Sequence, residues 1–468
     1  MTANAQNFET SLSSEIAARV ETLEGGAYLW RLVVLISLGG WFEIYDLFFT
    51  GYIAPGLAKS GLLTTTTQAF FGFSGIGAFV AATFAGLFVG TFFLGFLPDR
   101  FGRRSIFTWS LIVYALATLV MACQTTSAGV LIWRFVAGIG LGVEIVTIDA
   151  YITELVPTRI RGRAFAVNQA VMLSAVPVVA LLSWWLAPQA PLGAEGWRWV
   201  VAIGSIASMA IWIIRREIPE SPLWLAQMGR SAEAERIMAQ IEGRSGVSAD
   251  RRPEDIVAAI SPSRAFGQGY ATLLKPGYLG LVLLLVVFNL CQAFGVYGFA
   301  NWVPTLLVEK GITITKSLEY SFIIAIAYPV APLLTSIYAD RVERKWIICG
   351  AALAIAVFGI LFSQVTAPWM LIICGVMITV ANMTMSYAYH AYQTEVFPTA
   401  IRARAAGIVY SASRVAAMFS GFIVAFMLKS TGVVGVFGLI TLAMAIVILS
   451  IGAFGPNVRN RQLDAPLH

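Results

Sequence analysis

Residues 99–107 read DRFGRRSIF, and residues 340–348 read DRVERKWII, a second version of the same stretch 241 positions later. A second motif repeats at the same distance, because ELVPTRIRGRA at 154–164 returns as EVFPTAIRARA at 395–405. Two separate motifs at one common offset indicate an internal duplication. The duplication makes the following residues equivalent: Asp99 and Asp340, Arg100 and Arg341, Glu154 and Glu395, Pro157 and Pro398, Arg161 and Arg402, and Arg163 and Arg404.

Long apolar segments surround both copies of these motifs. The 468-residue chain is 58% hydrophobic and 12% charged, with a mean hydropathy of +0.78, which is far from the balance of a soluble globular protein. Segments long enough to cross a bilayer predict twelve helices. These spans 1 to 12 are 30–54, 70–97, 105–123, 128–153, 163–187, 198–215, 277–308, 318–338, 345–364, 368–391, 403–427 and 432–454. The expected fold is therefore an all-α membrane protein with twelve transmembrane helices in two pseudo-symmetric halves of six.

The positions of the spans divide the chain into five parts. A hydrophilic central loop, 217–275, separates an N-terminal half at 29–216 from a C-terminal half at 276–455, and polar ends at 1–28 and 456–468 flank them. Of 31 lysines and arginines, 24 fall on the side that carries the termini and the repeated motifs, and five fall on the other side. The positive-inside rule makes the first side cytoplasmic, so both termini are expected in the cytosol. A bacterial inner membrane is the simplest location, and a monomer is the simplest assembly.

Other classes of protein receive little support from the sequence. The membrane orientation explains the pI near 9.2, so nucleic-acid binding is not expected. All four cysteines fall in spans without paired spacing, which argues against a disulfide framework or a metal site. No nucleophile motif, metal cluster or phosphate-binding loop is present, so neither an enzyme nor a cofactor is expected. A receptor without transport activity would usually carry a signalling domain, and the polar tail after Pro456 is too short for one.

Four motifs carry a family resemblance that covers essentially the whole chain. GFLPDRFGRR lies between spans 2 and 3, RFVAGIG lies in span 4, ELVPTRIRGR follows span 4, and PESPLWL follows span 6. This set resembles the signature motifs of the major facilitator superfamily. The branch that it resembles most contains sugar porters, aromatic-acid:proton symporters and organic-ion transporters. The resemblance implies transport by alternating access, with a site between the two halves near the middle of the membrane.

The motifs on the cytoplasmic side also resemble a conformational lock. Gly102 permits a tight turn, Asp99 can cap or pair at a helix end, and the arginines can reach helix-terminal carbonyls and Glu154. Anchoring of the chain by positive charge alone is the alternative. The candidate gating residues are Asp99, Arg100, Gly102, Arg103, Arg104, Glu154, Arg161, Asp340, Arg341, Glu395 and Arg402.

Two acidic residues lie inside span 1, where GWFEIYDLFFTG at 40–51 contains Glu43 and Asp46. They share a helix face, and charged groups at that depth are costly and usually functional. Arg134 of span 4 lies in the same half of the membrane as Asp46, so the two are expected to pair, and Glu144 lies nearer the middle. A pair that opens on protonation is a proton switch, which makes these four residues the candidate proton-coupling groups. A permanent ion pair that only fixes packing is the alternative.

The second half of the sequence indicates the class of substrate. NLCQAFGVYGFANWVP at 289–304 in span 7 keeps the spacing of the sugar-porter pattern but lacks a Gln and an Asn that would bind sugar hydroxyls. SYAYH at 386–390 replaces a further sugar-porter element in span 10. Arg414 lies near mid-membrane in span 11 with no acidic residue on its own or the next helix, and its guanidinium fork matches a carboxylate. The candidate substrate-binding residues are Arg414, Asn289, Gln292, Tyr297, Asn301, Trp302, Tyr387, Tyr389 and His390.

These features predict a proton-coupled symporter of a small organic anion, such as nicotinate or a hydroxybenzoate. The ExxD spacing of Glu43 and Asp46 is also more similar to aromatic-acid symporters than to sugar porters. A sugar or polyol:proton symporter is the alternative. The aromatic residues of spans 7 and 10 could serve packing alone, His390 is a second candidate for proton transfer, and the role of Asp149 stays open.

Overall fold

The structure is a computed structural model that describes residues 13–65, 74–214, 218–246, 276–338, 341–397 and 402–458. Helices occupy all twelve predicted spans within these ranges, and the described residues contain no strand. The prediction of an all-α membrane fold is therefore confirmed.

The helices of the first half follow the prediction closely. Span 1 is Ala27–Lys59, span 2 is Gly75–Leu94, span 3 is Arg103–Ala122, span 4 is Ser127–Leu155, span 5 is Thr158–Leu173 continued by Ala175–Leu186, and span 6 is Gly196–Ile214. The connecting segments add a helix at 13–22, the short helices Leu97–Phe101 and Pro222–Gln227, a 3-10 turn at Pro191–Gly193 and the helix Ser231–Ser245.

The second half is built in the same way. Span 7 is Pro276–Ala300 continued by Val303–Glu309, span 8 is Ile314–Ala325 continued by Ala327–Tyr338, span 9 is Arg344–Gln364, span 10 is Pro368–Val396, and spans 11 and 12 are the two parts of Arg402–Phe454. Gly432, with φ 68° and ψ −163°, separates these last two spans. Span 7 was predicted as one helix to 308, but the helix breaks at 301–302, and Pro304, which lacks an N–H, lies in the first turn of the new helix Val303–Glu309.

Gly138 of the RFVAGIG motif and Gly142, two residues after the motif, bring spans 2 and 4 close together. Gly138 and Gly142 face Gly86 and Gly90 of span 2, and a Cβ on Gly138 would lie 2.6 Å from the carbonyl oxygen of Thr83. Small residues permit such close approach in membrane helices, where packing rather than the hydrophobic effect drives association. Arg134 lies one turn before Gly138, so this contact fixes its position along the membrane normal relative to span 2.

The loops after the even-numbered spans lie at one end of the bundle, called here the basic end, and the other loops lie at the opposite end. The two halves pack together toward the opposite end. A Cβ on Gly77 of span 2 would lie 2.9 Å from the carbonyl oxygen of Gly421 of span 11, and one on Gly51 of span 1 would lie 2.6 Å from that of Asn301. Trp184 of span 5 also stacks on Phe322 of span 8, at 5.9 Å between ring centroids. The structure is therefore closed at the opposite end.

At the basic end, the helix at 13–22 packs on the helix Ser231–Ser245 of the central loop. Arg19 donates two hydrogen bonds of 2.8 Å to the carboxylate of Glu242 and one of 2.6 Å to Glu235. Apolar side chains of both helices, including Ile16 and Met238, are buried in the same cluster. The N-terminal segment is thus attached to the central loop.

Candidate functional site

Spans 1 and 4 bring Asp46 and Arg134 together in the interior of the bundle. Arg134 donates from Nη1 to Asp46 Oδ2 at 2.7 Å and from Nη2 to the main-chain oxygen of Asp46 at 2.9 Å. Thr118 of span 3 donates to Asp46 Oδ1 at 3.3 Å. Only 3% of Asp46 and none of Arg134 is exposed, so each charge is buried against its partner. The predicted pairing is confirmed.

Neutral groups complete the surroundings of Arg134. Its Nε donates to Thr83 Oγ1 at 2.8 Å, and its Nη2 donates to Thr50 Oγ1 at 2.8 Å. The rings of Phe49 and Phe79 face the guanidinium at 4.6 and 5.5 Å. None of these four residues was predicted, because threonine and phenylalanine in an apolar span give no signal that separates them from ordinary packing.

Glu43 lies about one turn from Asp46 on the same helix and is 3% exposed. Its Oε2 atom has no hydrogen-bond partner among the described residues. The Glu43 carboxylate lies within electrostatic range of Glu144, Arg414, Asp149 and Asp46. Glu144, from span 4, is fully buried. Glu43 therefore lies within electrostatic range of two other predicted proton-coupling residues, Glu144 and Asp46, and of Arg414, a charge that comes from the other half.

Arg414 is 8% exposed and is held by two phenols. Its Nη1 donates to the hydroxyl of Tyr297 and its Nη2 to that of Tyr410, both at 3.3 Å, and the Tyr410 ring lies 5.0 Å from the guanidinium carbon. No carboxylate lies within ion-pair distance of Arg414 in the part of the chain that the structure describes. Its acidic neighbours, Glu43 and Asp149, act at longer range. Tyr410 was missed, although its spacing of four residues from Arg414 was visible in the sequence.

The surroundings of Arg414 are accessible on the side of the basic end. Asp149 of span 4 and His390 of span 10 are both exposed, and both interact electrostatically with Arg414. Tyr387, one turn before His390, is 36% exposed. The exposed neighbours of Arg414 thus lie between it and the basic end, whereas the opposite end is closed.

Two other predicted substrate-binding residues, Asn289 of span 7 and Tyr389 of span 10, hydrogen-bond to each other. Asn289 donates to the hydroxyl of Tyr389 and, at 2.9 Å, to the carbonyl of Leu285. The Tyr389 ring stacks on Phe288 with 4.0 Å between centroids. Gln292 is half-buried.

The break in span 7 encloses two more of the predicted residues. Asn301 and Trp302 are 2% and 0% exposed, beside Gly51 near the closed opposite end. The Nδ2 atom of Asn301 and the Nε1 atom of Trp302 have no hydrogen-bond partner within the described ranges. Trp302 is therefore packed into the closed opposite end. Of the predicted substrate-binding residues, only Tyr297 hydrogen-bonds Arg414.

The two repeated motifs form equivalent ion pairs at the basic end. Arg103 pairs with Glu154 at 2.8 Å and with Asp99 at 2.5 Å. Arg344, 241 positions after Arg103, pairs with Glu395 at 2.8 Å. Arg344 was missing from the predicted gating residues, although the aligned repeats contained the signal for it. Each pair joins the start of an odd-numbered span to the end of the even-numbered span that follows it.

Glu220 of PESPLWL is a further residue at the basic end that was not predicted from the sequence. Its carboxylate accepts from the backbone N–H of Arg104 at 3.0 Å, at the first turn of span 3, where a negative charge is favoured. Burial raises the pKa of Glu220, and hydrogen bonds from backbone N–H groups oppose that rise.

Gly102 has φ 97°, and a Cβ there would lie 2.6 Å from Glu220 Oε2. The turn therefore requires glycine for its conformation and for this contact. Trp224 Nε1 also donates to the carbonyl of Asp99 at 2.7 Å.

The remaining predicted gating residues lie at the basic end in less connected positions. Arg161 donates to the carbonyl of Val156 at 3.0 Å and to Glu21 at 3.3 Å, so it ties span 5 to the N-terminal segment. Arg100 and Arg341 are exposed. Asp340 lies outside the described residues, as does the side chain of Arg402. The described residues contain no group of His, Cys, Asp and Glu side chains that could hold a metal ion.

Comparisons with known proteins give one consistent family. The family model described as "Sugar (and other) transporter" matches residues 32–465. The putative metabolite transport protein YyaJ of Bacillus subtilis is 28% identical over 96% of this chain and 97% of its own length. The niacin transporter NiaP of Acinetobacter baylyi is 28% identical over 94% of this chain and 97% of its own length.

A solved structure shares the fold. The inward-open conformation of the xylose transporter XylE from E. coli superposes with a TM-score of 0.74, at 21% identity, over 93% of this chain and 98% of that chain.

Proposed function

This chain belongs to the sugar (and other) transporter family of the major facilitator superfamily, and from that premise we propose that it is a proton-coupled symporter of a small aromatic monocarboxylate. It is a multi-pass membrane transporter, and its family consists of transporters rather than enzymes. Nicotinate and hydroxybenzoate are examples of this substrate class. The transported molecule would bind between the halves and be released by alternating access.

The observation that carries this proposal is the environment of Arg414. A buried guanidinium in a membrane is costly, and two phenols at 3.3 Å satisfy only part of its hydrogen-bonding capacity. With no carboxylate in ion-pair distance among the described residues, its fork is available to an anionic group. A substrate carboxylate would provide the bidentate partner that arginine favours.

Aromatic side chains around Arg414 support an aromatic substrate. Tyr297 and Tyr410 touch the guanidinium, and the ring of Phe84 packs edge-on against Tyr297 with 4.6 Å between centroids. His390 lies 5.5 Å from the Tyr410 ring. An aromatic acid held by Arg414 would place its ring among these side chains, where stacked and edge-on contacts stabilise it. The name of the niacin transporter relative agrees with this class.

Proton coupling is assigned to Asp46 and Arg134. Protonation of Asp46 would remove the charge that Arg134 pairs with and weaken the link between spans 1 and 4. Substrate movement would then depend on whether a proton occupies Asp46. The permanent ion pair is the alternative, and Asp46→Asn separates the two because it mimics the protonated state.

The basic end is assigned to the cytoplasm, together with both termini, on the distribution of lysine and arginine. The structure would then be inward-facing, with the opposite end closed toward the outside. The ion pairs Arg103–Glu154 and Arg344–Glu395 would hold neighbouring spans together within each half as the halves move. We also propose that the protein lies in a bacterial inner membrane and functions as a monomer.

A sugar or polyol:proton symporter is the second candidate. The description of the family favours it, and so do buried amide groups in spans 7 and 10 that would suit hydroxyl ligands. The Oδ1 atoms of Asn289 and Asn382 have no hydrogen-bond partner within the described ranges. Such amides would suit neutral ligands, but they do not account for the buried positive charge of Arg414.

A binding and uptake panel on the purified protein tests the two candidates. Proteoliposomes with an imposed proton gradient would be supplied with labelled nicotinate, 4-hydroxybenzoate, D-xylose or L-arabinose. We expect accumulation of at least one carboxylate and of neither sugar, with loss of accumulation when an ionophore collapses the gradient. Accumulation of a sugar alone would overturn the organic-anion assignment in favour of the second candidate.

A further inference from the structure

We propose that Glu43 is an internal counter-ion of Arg414, and that a carboxylate substrate binds Arg414 only as Glu43 takes up a proton. This inference rests on the proposed function, because it needs a carboxylate substrate. It gives Glu43 a task separate from that of Asp46, since the two acids have different cationic partners.

The charges around Glu43 come from several helices, and their balance disfavours the binding of an additional anion. Span 4 contributes Glu144 and Asp149, span 11 contributes Arg414, span 7 contributes the phenol of Tyr297, and Asp46 lies on the same helix as Glu43. Asp46 is hydrogen-bonded to Arg134, so among the described residues Arg414 is the cation that interacts with Glu43 and Asp149. A substrate carboxylate that arrives without a proton would add a negative charge to a site where acids already outnumber this single cation. Uptake of one proton by one of these acids keeps the net charge constant.

Glu43 is the acid best placed to take up that proton. It is 3% exposed, and its Oε2 atom has no hydrogen-bond partner among the described residues, so the attraction of Arg414 is the main compensation for its charge. Asp149 is exposed, and water can stabilise its carboxylate. Asp46 keeps its own partner, Arg134, whether or not a substrate is bound. When a substrate occupies the Arg414 fork, Glu43 therefore loses more than Asp149 or Asp46 does.

The exchange involves no covalent step. The substrate carboxylate pairs with the guanidinium, one proton moves from solution to the Glu43 carboxylate, and Glu43 becomes neutral. When the substrate leaves, Glu43 releases the proton and again neutralises Arg414. The phenols of Tyr297 and Tyr410 position the guanidinium in both states, because they bond to it without occupying the whole fork.

Calorimetric titration of the purified protein with nicotinate and 4-hydroxybenzoate tests the exchange. Titrations in buffers of different ionisation enthalpy measure the number of protons taken up per ligand bound. For the unmutated protein we expect a net uptake, and an affinity that falls by up to about tenfold per pH unit as the pH rises, since one proton is linked to each binding event. Glu43→Gln, which carries no charge, is expected to bind with about one proton fewer taken up and a correspondingly flatter pH profile. Asp149→Asn is the matched control and is expected to retain the uptake.

Each outcome separates this inference from the proposed function. If the unmutated protein binds neither carboxylate, the organic-anion function fails and the inference fails with it. If it binds them without proton uptake, or if Glu43→Gln keeps the full uptake, or if Asp149→Asn loses it instead, only the inference is overturned. Should Glu43→Gln fail to fold, infrared difference spectra of the unmutated protein give the answer, because ligand binding must then produce a signal from a protonated carboxyl group. Absence of that signal would also overturn the inference.

Discussion

Replacing Arg414 by alanine tests the proposed function most directly. Arg414 is 8% exposed, so a carboxylate bound to its guanidinium would form a largely desolvated charge pair. Truncating one partner of such a pair typically costs on the order of 2–5 kcal/mol. The two phenol bonds of Arg414 are long, at 3.3 Å, and their loss adds little. A value of about 3 kcal/mol corresponds to a loss of affinity of roughly 150-fold.

The assay is binding of nicotinate and 4-hydroxybenzoate to purified protein, with folding checked by thermal unfolding and by gel filtration in detergent. Arg414→Lys keeps the charge but replaces the two-pronged fork by a point charge, so it should retain part of the affinity. Tyr410→Phe keeps the aromatic ring and removes one hydrogen bond, so it should weaken binding by less than tenfold. A folded Arg414→Ala variant that binds an aromatic carboxylate with undiminished affinity would refute the reasoning.

Three further substitutions test the coupling group, the basic end and the closed end. Asp46→Asn should abolish accumulation driven by a proton gradient while substrate exchange continues, and accumulation at the unmutated level would remove Asp46 from the coupling role. The Asp99 side chain is 73% exposed, so its ion pair with Arg103 is worth about 0–1 kcal/mol. Asp99→Asn should therefore slow transport several-fold at most and leave substrate affinity unchanged. If neither the transport rate nor the accessibility of cysteine probes at the basic end changes, the motif serves simple anchoring. Gly77→Leu places a side chain against the Gly421 carbonyl, so transport should fall while binding persists, and normal transport would show that this contact is dispensable.

The repeated motifs explain why the fold and part of the site were predictable. An offset of 241 positions relates Arg103 and Glu154 to Arg344 and Glu395, and the structure pairs both sets in the same way. The Asp46–Arg134 pair was predictable because the cost of a buried charge leaves few alternatives to pairing at equal depth. Arg344 was within reach of the same alignment and was overlooked.

The remaining contacts depend on tertiary packing that a single sequence does not reveal. Glu220 is more than one hundred positions from Arg104, and only the folded chain shows that its carboxylate meets the first turn of span 3. Tyr410 contacts Arg414 because both lie on one helix face, but nothing in the pattern marked that face as the interior one. Trp302 was expected beside the substrate because aromatic residues suit a binding site, whereas its enclosure at the break in span 7 gives it a packing environment.

The two acids of span 1 interact with cations in different halves of the molecule. Asp46 pairs with Arg134 of span 4, so its protonation changes contacts within the N-terminal half. Glu43 faces Arg414 of span 11, so its charge attracts the C-terminal half across the interface. Under the proposed exchange, a bound substrate takes over Arg414 and a proton neutralises Glu43, and this attraction between the halves is then replaced by contacts through the substrate itself. Binding of substrate and proton together would therefore change the forces between the halves, whereas a proton on Asp46 alone would change the packing inside one of them. This difference gives a physical reason for two carboxylates on a single face of span 1.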